Sequence, residues 1–152
     1  AGSGEFFRLA RWSLHRNDDL AARMAMMSYF WDPELCDAEG RDLRAMSLGS
    51  LQDKRPRATV EAQLKVLRKA DLGPQLGLIK CPALVIHGRS DEVVPPENGG
   101  HLFRALTGST VRRLALVDAR HNPFAPDSAA ARNIARIVAG FLRECRGAAS
   151  NL

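Results

Sequence analysis

Residues 82–96 read PALVIHGRSDEVVPP, in which an apolar run ends at Gly88 and a proline-rich turn follows Asp91. A short, continuously apolar run that ends at glycine is typical of a parallel β-strand buried on both faces. We therefore predict a strand over residues 82–88. Because buried parallel strands are joined by helices, the same stretch predicts an α/β fold.

The residues that follow predict a second strand and two helices. A helix is expected over residues 97–108, closed by its terminal glycine, and a strand over residues 111–117. After a loop that holds His121, either Asp127 or Ser128 can cap a last helix. The apolar stripe of that helix consists of Ile134, Ile137, Val138, Phe141, Leu142 and Cys145. The order strand, helix, strand, helix predicts parallel pairing of the two strands.

The residues before this α/β part are expected to be helical, with no strand among them. Asn17 can cap a helix that ends at the Asp32-Pro33 step, since the residue before a proline disfavours helical backbone. Its apolar residues at helical spacing are Leu20, Met24 and Met27, followed by Tyr29, Phe30 and Trp31. A further helix is predicted between Pro56 and Ala70. Its apolar face consists of Val60, Leu64 and Leu67.

Glycines and a proline in residues 71–80 mark the change from helices to the α/β pattern. We divide the chain into residues 1–6, which read as an expression-tag remnant, a helical segment 7–72 and an α/β segment 73–152. Two parallel strands make a small sheet with open edges and uncovered apolar faces. The chain is therefore expected to be part of a larger fold.

Composition favours an ordinary globular chain, since 45% of its 152 residues are hydrophobic and 26% are charged. The net charge of +5 comes from dispersed basic residues, and 6% aromatic content offers no stacking platform, so we expect no nucleic-acid partner. Cys36, Cys81 and Cys145 lack the spacing of a metal site or a disulfide framework. No apolar run is long enough to span a membrane. We expect a cytoplasmic protein that has neither a metal nor a cofactor.

The strand-Gly-x-x-Asp-x-x-Val-Pro pattern of residues 82–95 and the His-Asn-Pro-Phe loop at residues 121–124 together resemble the C-terminal part of α/β-hydrolases. The resemblance runs from about Leu72 to Glu144, and the helical segment before it is similar to that family's lid. It implies that Asp91 is the catalytic acid and His121 the catalytic base. Such a carboxylate holds the histidine in one tautomer and stabilises its imidazolium.

Each of these residues also has an alternative interpretation. An Asp after a strand commonly makes an Asx-turn, and a loop His is commonly a surface residue. The family usually has Gly before this histidine, whereas this chain has Arg120, which leaves a productive and a non-productive His121 loop as alternatives. Asp118 is a competing acid. His87 is interpreted as structural, Glu92 as solvent-facing, and His15 and His101 as helix residues without a catalytic partner.

The nucleophile is harder to find in this sequence. The stretch AMSLG, residues 45–49, matches a variant of the family's nucleophile elbow and makes Ser47 a candidate. Its flanking residues are charged where a buried strand is needed, so the alternative is a helical lid residue. No stretch supplies an oxyanion hole, and an Asp–His pair alone does not perform covalent acyl transfer.

Two functions from different classes remain as hypotheses. In the first, the chain is part of an esterase-like or lipase-like hydrolase of an apolar ester or related acyl bond, inactive alone for lack of the nucleophile. Its substrate would then contact Met24, Met27, Phe30 and Trp31 of the lid, although these residues could equally be lid packing. In the second, the chain is a non-catalytic fragment or degenerate hydrolase domain that binds a ligand or partner, with homodimers or a missing N-terminal half covering its apolar faces.

Overall fold

A computed structural model describes residues 4, 8, 20–31, 41–52, 56–124 and 128–149. The predictions made for His15, Asn17, Asp32-Pro33, Cys36 and Asp127 lie outside these residues, as does most of the expected tag remnant. The elements in the first half are α1 (Leu20–Met27), α2 (Arg41–Gln52), α3 (Arg57–Lys69) and α4 (Gly73–Leu76). Those in the second half are β1 (Ala83–Gly88), α5 (Glu97–Ala105), β2 (Arg112–Val117) and α6 (Ala129–Ala149).

The second half is α/β, as predicted, with strand, helix, strand and helix in that order. Within the described residues, β1 and β2 form a two-stranded parallel sheet in which His87 pairs with Leu116 and Gly88 with Val117. Both strands begin within one residue of the predicted start and end where predicted. Because they are parallel, the loops that follow them leave the sheet at the same edge.

The hydrophobic core of the α/β half lies between the end of β2 and α6. Its buried members are Val117, Ala119, Ala130 and Ile134, and its partly buried members are Ile86, Ile137 and Val138. The predicted apolar stripe of α6 is therefore confirmed at its first three positions. It is wrong at Leu142, which is exposed.

Two helix ends test the capping predictions. The side-chain hydroxyl of Ser128 accepts a hydrogen bond from the Ala131 amide at 3.0 Å, which confirms Ser128 as a cap. The predicted glycine cap at Gly108 is wrong, because α5 ends at Ala105 and Leu106 takes the capping position. Gly108 packs tightly instead, since a Cβ atom there would collide with the Gly77 carbonyl oxygen.

Gly88 allows the loops after β1 and β2 to approach each other. A Cβ atom at this position would collide with the carbonyl oxygens of Ala119 and Arg120. Just beyond it, the Arg89 amide donates to the Val117 carbonyl at 2.8 Å and the Ser90 amide donates to the Ala119 carbonyl at 3.1 Å. The backbone therefore joins the segment that carries Asp91 to the segment that carries His121.

Helices make up most of the described residues between 20 and 76, and no strand is described among them. Helices α1 and α2 pack together and bury Ala22 and Ser47. Helix α3 occupies the range predicted between Pro56 and Ala70, but the side chains of Val60, Leu64 and Leu67 lie outside the described atoms. The expected irregular segment 71–80 contains α4, because Pro74 is compatible with the first turn of a helix. Among the described helices, none has the length and apolarity needed to cross a membrane.

Candidate active site

Asp91 lies in the turn after β1, where its side chain is only 4% exposed. One carboxylate oxygen, Oδ1, accepts hydrogen bonds from the amides of Val93 and Val94, each at 2.9 Å. This is the Asx-type turn that was the alternative interpretation of Asp91. It occupies one oxygen, so the other oxygen, Oδ2, is available for a second role.

That second oxygen contacts His121, in the loop after β2. The distance from His121 Nδ1 to Asp91 Oδ2 is 2.9 Å, and the imidazole is 32% exposed. When the carboxylate is ionised and the imidazole neutral, the shared proton lies on Nδ1 and Nε2 presents a lone pair, because an ionised carboxylate can only accept hydrogen bonds. The pair thus combines a buried, acceptor-only carboxylate with an imidazole that solvent can reach, which is the arrangement needed for proton transfer at Nε2.

A second histidine approaches the same carboxylate. His87, near the end of β1, places Nε2 at 2.8 Å from the Val94 carbonyl oxygen and 3.2 Å from Asp91 Oδ2. Gly99 of α5 lies against its ring, where an added Cβ atom would be 3.0 Å from Nδ1. Among the described residues, no group of three or more His, Cys, Asp or Glu side chains is placed to hold a metal ion.

The turn that follows α1 is joined to the His121 loop by two hydrogen bonds. The Arg120 guanidinium donates from Nη1 to the Ser28 carbonyl at 2.7 Å, and the Asn122 amide donates to the Phe30 carbonyl at 2.8 Å. The Phe30 ring meets the His121 imidazole edge-on, with centroids 5.1 Å apart. Arg120 therefore stands where the resemblance implies Gly, and His121 still contacts Asp91.

The other acidic and histidine candidates lie elsewhere. Asp118 is exposed and its Oδ1 is 3.0 Å from Arg89 Nε, so the described contacts place the competing acid in a surface ion pair. Glu92 is exposed, as predicted, and His101 is exposed on α5. Of the carboxylates considered, Asp91 is the one that the fold places against His121.

Ser47 does not lie on a strand-to-helix turn. Residues 45–49 are all within α2, and Ser47 is fully buried there between the ends of the helix. A nucleophile elbow requires the serine at a sharp turn with its hydroxyl exposed above a sheet. Ser47 is therefore a buried helix residue, as in the alternative interpretation.

The four residues predicted to contact substrate lie together on α1 and the turn after it. Met24 and Met27 are on the helix, and Phe30 and Trp31 are in the turn, all of them partly buried. Of these, Phe30 has the ring contact with His121 described above. The turn after α1 thus covers part of the imidazole, while the rest of the ring remains accessible.

Sequence reasoning missed two contacts at the site. The Arg120–Ser28 hydrogen bond joins residues 92 positions apart, and the replacement of Gly by Arg120 was the one signal of it. The contact of His87 with Asp91 spans four residues, but it depends on side-chain orientation at the end of a strand.

Comparison with known proteins gives no family for this chain. No family model matches it, and no curated protein matches its sequence. Its function has to be argued from the geometry of the site.

Proposed function

We propose that this chain supplies the catalytic acid and base of an α/β-hydrolase that cleaves an apolar ester or a related acyl bond. The observation that carries the proposal is the hydrogen bond between buried Asp91 and accessible His121 at the shared edge of two parallel strands. The motifs around both residues resemble that family. Asp91 is the acid that orients, and His121 is the base that transfers a proton.

The proposed chemistry takes place at His121 Nε2. Its lone pair accepts the proton of an attacking hydroxyl or water molecule as the new bond to the acyl carbon forms. Asp91 stabilises the resulting imidazolium through Nδ1–H, and the proton then passes from Nε2 to the departing alcohol oxygen. A buried carboxylate that already accepts two amide hydrogen bonds is held in place for this task.

The turn after α1 supports an apolar substrate. The Phe30 ring lies against His121, and partly exposed Met24, Met27 and Trp31 belong to the same short segment. Aromatic and thioether side chains contact varied apolar groups readily. The proposed acyl group therefore packs against the lid while its carbonyl carbon lies near Nε2.

The nucleophile and the oxyanion hole are proposed to come from polypeptide outside the described residues. The position of Ser47 within α2 supports this proposal, since that serine has no turn on which to present its hydroxyl. Activity on ordinary esters is accordingly expected to be low for this chain alone. Activated esters are the appropriate probe, because an imidazole can attack them or activate water without a serine.

The test is hydrolysis of p-nitrophenyl butyrate by the purified chain and four variants. His121→Ala and Asp91→Asn should each lower the protein-dependent rate by roughly 10²-fold or to background. His101→Ala removes an exposed histidine from α5 and should leave the rate unchanged. Ser47→Ala should also leave it unchanged. Equal rates for the wild-type, His121→Ala and His101→Ala proteins would contradict the proposal.

The non-catalytic alternative is favoured by one set of observations, the apolar side chains that the fold leaves uncovered. Leu78 is 74% exposed and Phe124 is 62% exposed, and the side chains of β1 are only partly buried. A fragment that binds a second copy would cover such surface. Sedimentation velocity distinguishes the two functions: a dimer without any ester hydrolysis favours binding, whereas hydrolysis that depends on His121 excludes a purely binding role.

A further inference from the structure

The His87 imidazole makes polar contacts with Val94 and Asp91 in addition to its packing contacts. Its side chain is 12% exposed at the end of β1, and Nε2 faces two acceptors, the Val94 carbonyl oxygen at 2.8 Å and Asp91 Oδ2 at 3.2 Å. A carbonyl oxygen can only accept, so Nε2 carries a proton. This N–H is hydrogen-bonded to the Val94 carbonyl, and its nitrogen lies in longer polar contact with the Asp91 carboxylate.

Two hydrogen bonds and one longer polar contact connect the three residues. The Val94 amide donates to Asp91 Oδ1, and the Val94 carbonyl accepts from His87, which also reaches Asp91 Oδ2. Rotation about the Asp91 Cβ–Cγ bond would break the contact of Oδ2 with His87 as well as its hydrogen bond with His121. His87 therefore adds a restraint to those that direct Asp91 Oδ2 toward His121 Nδ1.

The fold also fixes His87 itself. The backbone of His87 belongs to β1 and pairs with Leu116, while its ring packs against Gly99. Any side chain at Gly99 would press on the His87 side chain, since an added Cβ atom would lie 3.0–3.2 Å from its Nδ1, Cβ and Cγ atoms. The pairing of β1 and the close packing of α5 thus restrict the position of the His87 side chain next to Asp91.

We propose that His87 is a positioning residue, which fixes the Asp91 carboxylate through its Nε2–H and thereby keeps His121 in the Nδ1–H tautomer. Two imidazoles then share one carboxylate oxygen, with His87 as a permanent donor and His121 as the group that exchanges protons. The consequence for turnover rests on the proposed function, but the consequence for the tautomer rests on geometry alone. His87 acts through Asp91, and we assign it no contact with substrate.

The test measures the His121 tautomer in ¹⁵N-labelled protein by two-bond ¹⁵N–¹H correlation, at a pH where the imidazole is neutral. His87→Asn ends at the position of Nδ1, so its amide cannot reach Asp91. His87→Gln places an amide N–H near the original Nε2. We expect the ratio of Nδ1–H to Nε2–H forms to fall at least about tenfold in His87→Asn and to be largely restored in His87→Gln. The Val93 and Val94 amide shifts report whether the turn is intact.

The result that overturns the inference is a His121 tautomer ratio that is the same in wild-type and His87→Asn protein. If His87→Asn fails to fold, His87→Phe replaces it as a ring without a donor, and the same comparison with His87→Gln applies. In the ester assay, a folded His87→Asn protein should have a lower kcat with little change in KM. The His87→Gln variant should restore kcat. A tautomer change without His121-dependent hydrolysis would contradict the proposed function and leave the positioning role standing.

Discussion

The α/β half and the helical half contribute to the site in different ways. In the α/β half, backbone contacts join the two loops, and Asp91 and His121 follow strands that pair in register. The helical half reaches the site through the turn of residues 28–31, which the Arg120 and Asn122 hydrogen bonds attach to the His121 loop. We infer that the α/β half sets the geometry of the Asp91–His121 pair, whereas the helical half covers part of the imidazole.

The largest effect is expected from changing the close approach in the α/β half. Gly88→Ala would force a Cβ atom into the Ala119 and Arg120 carbonyl oxygens, which are backbone atoms that cannot move independently. We expect a loss of about 3 kcal/mol in the free energy of unfolding, measured by urea denaturation. The His121–Asp91 hydrogen bond should be lost in any folded fraction.

The matched control is Gly147→Ala, near the end of α6, where an added Cβ atom meets nothing within 4 Å. Because alanine favours helix over glycine, this variant should be more stable by about 0.5 kcal/mol. Equal stability for the two variants would show that the loops do not need the close approach at Gly88.

A smaller and more local effect is expected where the two halves meet. Arg120→Ala removes the donor to the Ser28 carbonyl, a hydrogen bond from a charged group that contributes about 2 kcal/mol. Hydrogen exchange in residues 20–31 should become at least about tenfold faster, while exchange in β1 and β2 is unchanged. Arg136→Ala, an exposed arginine on α6, is the control. Faster exchange in the strands of Arg120→Ala would contradict the division of roles between the halves.

The next effect concerns the covering of His121. Phe30→Leu keeps an apolar side chain but removes the edge-on ring contact, which contributes about 1 kcal/mol. We expect KM for p-nitrophenyl butyrate to change by roughly fivefold with little change in kcat, if Phe30 contacts the substrate as proposed and takes no part in proton transfer. A fall in kcat with unchanged KM would place Phe30 in the proton-transfer step instead.

The smallest effect is expected at the surface of the α/β half. Arg113 and Glu144 form a paired contact with N–O distances of 3.0 and 2.6 Å, yet both side chains are substantially exposed. A double-mutant cycle should give a coupling energy of at most about 1 kcal/mol, decreasing at high salt. A coupling of several kcal/mol would mean that the Arg113–Glu144 pair is more shielded from water than the exposure of its side chains indicates.

The α/β half was predictable from the sequence because its signals are local. A buried parallel strand has an apolar run, a helix has a cap and a stripe, and Asp91 and His121 each lie in a short motif. The predictions failed where a neighbour decides the outcome, as at Gly108, whose proximity to Gly77 depends on the packing of α4 and α5. The same reason explains why the Arg120–Ser28 contact, between residues far apart in the chain, could not be found from spacing.

The tautomer of His121 in wild-type and Asp91→Asn protein tests the central claim most directly, because both the proposed base and the proposed role of His87 depend on it. The account predicts that wild-type His121 carries its proton on Nδ1 and presents an unprotonated Nε2, and that Asp91→Asn abolishes this preference. A two-bond ¹⁵N–¹H spectrum distinguishes the two forms. A wild-type imidazole protonated on Nε2, or one that is unaffected by Asp91→Asn, would contradict the account.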